Sequence, residues 1–336
     1  MRGTLALLAS IALAMFCWGV YGPVLREGQL DMAGSSLRPF ICVGMAYFLI
    51  AVLAPGVLMK VRPEPGHWST SGIFWSLAAG AVGALGALGI ILALSSGGSP
   101  VYVMPLVFGC APVVNTFLTM YWARSYKQAG PIFIAGLILV VLGAVTVLLS
   151  RPHGHAAAES APLTPQQLTE IILFTAMTTV SWGVYGPMLH RGQMGMAGSR
   201  LRPLICVGLA YFLIAVLVPL MLLTQWDKPD AHFTFNGTLW SLGGGAAGAL
   251  GALGIIMAFN FGGKPIYVMP LVFGGAPVIN TFASVLRAGT FGELPAMFYA
   301  GLIVVAAGAV TVLVFSPKGG HAPPTKKTKH EAAPAS

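Results

Sequence analysis

Charge is what this sequence has least of. Charged residues are 8% of the chain against 56% apolar ones, where a soluble domain carries about 25% charged residues. That scarcity argues against a soluble enzyme or binding domain. Acids are scarcer still: nine Asp and Glu in 336 residues, all in loops or at the ends of apolar runs. No carboxylate sits in the middle of an apolar run, so none is placed to serve as a buried proton site. The four cysteines (Cys17, Cys42, Cys110, Cys206) lack CxxC spacing and lie in apolar stretches. They define neither a disulfide framework nor a metal site, and no cofactor motif is present. Alternating short segments of the kind that build membrane barrels are absent. No paired nucleophile and base is visible, which argues against an enzyme. The net charge of +9 reads as loops and a basic tail of a membrane protein rather than as a nucleic-acid surface.

What the chain does have is ten apolar segments: 4–24, 37–58, 73–95, 100–122, 130–150, 167–188, 201–223, 238–260, 265–286 and 295–316. Each is long enough to cross a bilayer, which takes about 20 residues. The expected fold is an all-α membrane protein of ten transmembrane helices. The first segment could pass for a cleaved signal peptide. Its Trp18–Pro23 run recurs at Trp182–Pro187, in mid-chain, and a segment with a twin is expected to be retained.

The chain repeats itself. Shifted by 164, Trp18–Leu53 matches Trp182–Leu217 at 28 of 36 positions; shifted by 165, Trp75–Phe117 matches Trp240–Phe282. Each copy holds five spans. Five is odd, so the second copy enters the membrane from the opposite side, as in many secondary transporters. The expected organisation is a first five-helix repeat over 1–150, an extracytoplasmic linker over 151–166, an inverted second repeat over 167–317 and a disordered basic cytoplasmic tail over 318–336. Lys and Arg divide thirteen to five between the two sides. The positive-inside rule then puts both termini in the cytoplasm. The copies differ in the residues that set orientation: Glu27, Ser36 and Ser99 in one, Arg191, Arg200 and Lys264 in the other.

Two stretches carry the candidate site. YVMPLVFGCAPVVNTF starts at Tyr102 and YVMPLVFGGAPVINTF at Tyr267. Each apolar run is broken by two prolines, Pro105 and Pro112 or Pro270 and Pro277. A proline removes one helix hydrogen bond, and freed carbonyls in lipid need protein or a wet cavity. Asn115 and Asn280 follow one turn after the second proline, next to Thr116 and Thr281. Either these amides repair the proline kinks, or they face a substrate together with Trp18, Tyr21, Trp182 and Tyr185. A few placed polar groups in an apolar cavity are the usual form of such a site. Arg38 and Tyr102 mark an outer mouth, Arg202 and Tyr267 an inner one; the plainer reading of the arginines is snorkelling toward headgroups. Ser35 or Ser36 is placed to cap the second helix. Glu27 or Asp31 is the acid expected beside Arg38. The glycine-rich third and eighth spans read as close helix packing.

A five-plus-five inverted repeat, with Trp-Gly in the first span and an Arg opening the second, resembles the drug/metabolite transporter superfamily and its EamA-like ten-helix permeases. The resemblance implies alternating access and a central cavity for small solutes. Those solutes are of the kind of amino acids, sugars or amphiphilic compounds, and the amides and aromatic residues above narrow the expectation to a permease for a neutral or zwitterionic metabolite. The setting it implies is a bacterial inner membrane. Its partners are then a small-molecule substrate and membrane lipid, without nucleic acid, and a homodimer is one assembly open to it. A channel or a non-transporting membrane scaffold is the rival reading.

Overall fold

The computed structural model describes residues 2–98, 100–150, 164–288, 295–315 and 317. Most of the 151–166 linker and the whole 318–336 tail lie outside the described residues. The fold is all-α, with no strand among the described residues. The helices are α1 (Arg2–Asp31), α2 (Leu37–Tyr47), α3 (Ala54–Val61), α4 (Thr70–Ser95), α5 (Pro100–Ala123), α6 (Pro131–Leu149), α7 (Pro165–Gly195), α8 (Leu201–Phe212), α9 (Val218–Trp226), α10 (Phe235–Asn260), α11 (Pro265–Ala288) and α12 (Ala296–Phe315). A π-helical turn, Phe48–Leu53, joins α2 to α3 into one rod, and Leu213–Leu217 joins α8 to α9. Among the described residues, six rods are long and apolar enough to cross a membrane: Gly3–Asp31, Leu37–Val61, Thr70–Ser95, Pro165–Gly195, Leu201–Trp226 and Phe235–Asn260. Shorter apolar helices lie within α5, α6, α11 and α12. Large apolar side chains such as Phe16, Phe74, Leu173 and Phe235 point outward, as lipid-facing helices require.

Helix starts follow local chemistry. Ser69 accepts from the Gly72 N–H and Thr234 from the Gly237 N–H, at 3.0 Å each. Thr164 and Gln167 close a capping box. Ser35 and Ser199 accept from the N–H groups of Arg38 and Arg202, so the cap of α2 falls to Ser35 rather than Ser36.

Two expectations change. The first and sixth spans do not end at 24 and 188; α1 continues through Pro23 to Asp31 and α7 through Pro187 to Gly195. Neither proline pair breaks its helix: α5 runs through Pro105 and Pro112, and α11 through Pro270 and Pro277. One lost hydrogen bond per proline leaves the flanking turns intact, and packing holds the helix on both sides.

The helices interleave across the two halves. α1 packs antiparallel on α10: Gly28 meets Ser241 and Gly254 meets Ala14. α7 packs antiparallel on α4 in the same way, with Gly192 on Ser76 and Thr178 on Gly89. α6 runs antiparallel to α12, with Gly136 against Thr311 and Gly143 against Val305. The two rods containing π-helical turns also run antiparallel, with Gly44 against Ala215 and Gly208 against Ala51.

Candidate functional site

Trp18 and Tyr21 lie three residues apart on α1, hence on one helix face; Trp182 and Tyr185 do the same on α7. The fold brings these four residues together. They line one small cavity of about 30 Å³, with Tyr47, Tyr211 and Phe108 completing its aromatic wall. That volume admits a water or two. Trp18 donates its Nε1–H to the Gly248 carbonyl, and Trp182 donates to Gly83, each at 3.3 Å. The Trp18 and Trp182 rings lie 6.4 Å apart between centroids at 21°. Tyr47 and Tyr211 stack at 3.6 Å and 2°. Each tyrosine sits where its rod enters the π-helical turn, a feature frequent at functional sites.

The glycine stripe does more than let helices approach. Gly80 faces the Val207 backbone and Gly89 the Phe174 carbonyl, which is helix packing. Gly86 instead seats the Trp182 indole and Gly251 the Trp18 indole; a methyl group at either would occupy the ring's place. Gly83 and Gly248 lie against the hydroxyl ends of the rings of Tyr211 and Tyr47.

Asn115 and Thr116 are buried but do not line this cavity. Asn115 Nδ2 donates to the Pro265 carbonyl at 2.9 Å, tying α5 to the start of α11. Asn280 is also buried. The side chains of Tyr102, Pro105 and Thr281 lie outside the described residues. Tyr267 is half-buried and donates its hydroxyl to the Gly262 carbonyl at 3.0 Å.

The arginines are anchored across the halves. Arg38 forms an ion pair with Asp227, not with Glu27 or Asp31, and lies 5.4 Å from the Phe233 ring. Ser35 donates to the other oxygen of Asp227 at 2.8 Å. At the opposite end of the α2–α3 rod, Glu64 accepts from Arg200 Nε at 2.7 Å, from Ser199 at 2.7 Å and from the Arg200 and Leu201 N–H groups at 2.9 Å. Arg202 donates to the Pro65 carbonyl and lies over Trp68. Each half thus extends a loop acid to the start of the other half's α2 or α8. A 25-residue rod separates the two contacts by about 37 Å, and Tyr47 lies near its middle.

Burial alone raises the Glu64 pKa, but the bonds from Leu201, Ser199 and Arg200 outweigh it and hold the carboxyl below its usual value. A depressed value stabilises the fold fully above the unfolded-state pKa, about 4.3, and that contribution is lost as pH falls through the folded value. Glu64→Gln is expected to cost about 1.5–3 kcal/mol at pH 7 and much less at pH 3. Unfolding of both proteins at the two pH values checks this; an equal cost at both would refute it.

Beside Arg191, a wider recess of about 330 Å³ is lined by Trp122, His190, Arg191 and Lys264. Arg191 lies over the rings of Trp75 and Trp122, at 4.8 and 4.4 Å.

No family model and no curated protein matches this chain. Solved structures do: 26 chains are similar. One, described only as the crystal structure of a protein, aligns with a TM-score of 0.64 at 16% identity, over 94% of this chain and 99% of its own length. At that identity the likeness establishes a shared fold and nothing about activity.

Proposed function

We propose that this protein is a secondary transporter of the drug/metabolite transporter superfamily, an EamA-like permease. It carries a small neutral or zwitterionic metabolite across a bacterial inner membrane by alternating access, through ten helices built as two inverted repeats. The observation that carries the reading is the antiparallel contact of twin helices. α6 lies against α12, and the α2–α3 rod against α8–α9, as two copies of opposite sense would. Two further features support it. The cross-half contacts of Asp227 and Glu64 sit at opposite ends of one rod, and an aromatic cavity lies between them. A carrier that alternates about a central cavity accounts for this arrangement; a channel needs a continuous path.

Counterflow in proteoliposomes tests the proposal, with compounds first selected by thermal shift. Uptake is expected to saturate and to rise severalfold when the same compound is loaded inside. Flux that neither saturates nor responds to internal compound would make the protein a channel. Both termini are assigned to the cytoplasm, from the thirteen-to-five division of basic residues. A reporter inserted within 155–160 is therefore expected to behave as extracytoplasmic, and cytoplasmic behaviour would end the inverted-repeat reading.

A further inference from the structure

The aromatic cavity has walls of a particular spacing. Trp18 and Trp182 are near parallel, with centroids 6.4 Å apart. Carbon atoms in contact lie about 3.5–4.0 Å apart, so a flat ring between the indoles needs them about 7–8 Å apart, roughly an ångström beyond their present separation. Both indoles have their N–H groups committed to glycine carbonyls, which fixes the rings and leaves their faces for a ligand. Tyr47 and Tyr211 overlap face to face at 3.6 Å and 2°, the less favourable arrangement for two aromatic rings. A ligand seated beside this pair gives it reason to shift toward an offset or edge contact. The adjoining π-helical turns are where the rods have room to give.

Polarity narrows the ligand further. Among the described residues lining the cavity, none is charged, so an ion entering would lose its hydration without a counter-charge. The hydroxyls of Tyr21 and Tyr185 are buried without hydrogen-bond partners, and their residues are 6% and 3% exposed. These twin groups require a donor or acceptor that the protein does not supply.

The geometry points to a flat, uncharged aromatic heterocycle as the ligand of this cavity, stacked between Trp18 and Trp182 and hydrogen-bonded at its edge by Tyr21 and Tyr185. The inference rests on the transporter reading for how such a ligand enters and leaves. It goes further in favouring planar rings over sugars and aliphatic amino acids.

Binding to the purified full-length protein tests it, read by tryptophan fluorescence and thermal shift. The probes are adenine, uracil and indole as uncharged rings, glycine betaine as an aliphatic zwitterion and tetraethylammonium as a cation. At least one ring is expected to quench the fluorescence and raise Tm, and the other two classes to do neither. Trp18→Leu is expected to weaken ring binding about ten- to a hundredfold. Tyr21→Phe and Tyr185→Phe are each expected to weaken it about two- to tenfold without lowering the Tm of the free protein. That separates a binding role from a structural one. Failure of all three rings overturns the inference. Binding of tetraethylammonium or glycine betaine in their place does so as well, and counterflow of that compound would leave the transporter reading standing. Ring binding without counterflow would instead keep the cavity's ligand and remove the transport.

Discussion

Replacing Asp227 with alanine is expected to destabilise the protein by about 3–5 kcal/mol, the cost of removing one member of a buried ion pair. The Asp227 side chain is 4% exposed and that of Arg38 14%, so the guanidinium would be left with little water and no counter-charge. Ser35 loses its acceptor in the same step, although it is the group that caps Arg38. Asp227→Asn is expected to cost less, since its amide oxygen still accepts from Ser35. Arg38→Ala combined with Asp227→Ala is expected to be more stable than Asp227→Ala alone, because no unpaired charge remains. Denaturant unfolding in detergent measures all three. An Asp227→Ala protein within about 1 kcal/mol of the parent would mean that this contact is not closed in solution.

Gly86→Ala and Gly251→Ala are expected to be the next most damaging changes, at about 2–4 kcal/mol each. The added methyl occupies the place of the Trp182 or Trp18 indole, and overpacking of this kind costs about 1–3 kcal/mol. Displacing the indole also breaks its bond to Gly83 or Gly248, worth about 0.5–1.5 kcal/mol. The effect is specific to the ring, so Trp182→Phe should partly rescue Gly86→Ala and leave Gly251→Ala unrescued. A double-mutant cycle gives the coupling directly. Additive losses for Trp182 and Gly86 would refute the seating of the indole. Gly56→Ala, where a methyl meets open space, is the control.

The helical segments were legible because lipid enforces them: an apolar run must close its own backbone bonds, so hydropathy marks its extent. Segments 37–58 and 201–223 correspond to real rods with almost the same starts. The ends of α1 and α7 were harder. Polar Gln29 and Gln193 read as loop, yet both are buried and donate to backbone carbonyls, of Ile91 and Ile256, which lets the helices run on. Trp18, Tyr21, Trp182 and Tyr185 were found from their motif. Tyr47, Tyr211 and Phe108 were missed, because an aromatic residue inside an all-apolar span has no contrast with its neighbours. Their identity between copies, Tyr47 with Tyr211 and Phe108 with Phe273, was a usable signal. Asp227 and Glu64 were missed as partners for a different reason. A fixed shift of 164 pairs Glu64 with Lys228; the loops differ in register, and only the folded chain brings each acid to the same kind of helix start.

The interleaving of the two halves bears on how the protein is made. Trp18 donates its hydrogen bond to a carbonyl 230 positions later. At a synthesis rate of about 5–20 residues per second, roughly 10–50 s pass before that partner exists. During that interval α1 is without α10, and α6 without α12. Their glycine faces are open to lipid and to any other helix nearby. The first half is therefore an orphan until the second arrives, and a ribosome that stalls between them leaves a recognisable substrate for membrane quality control.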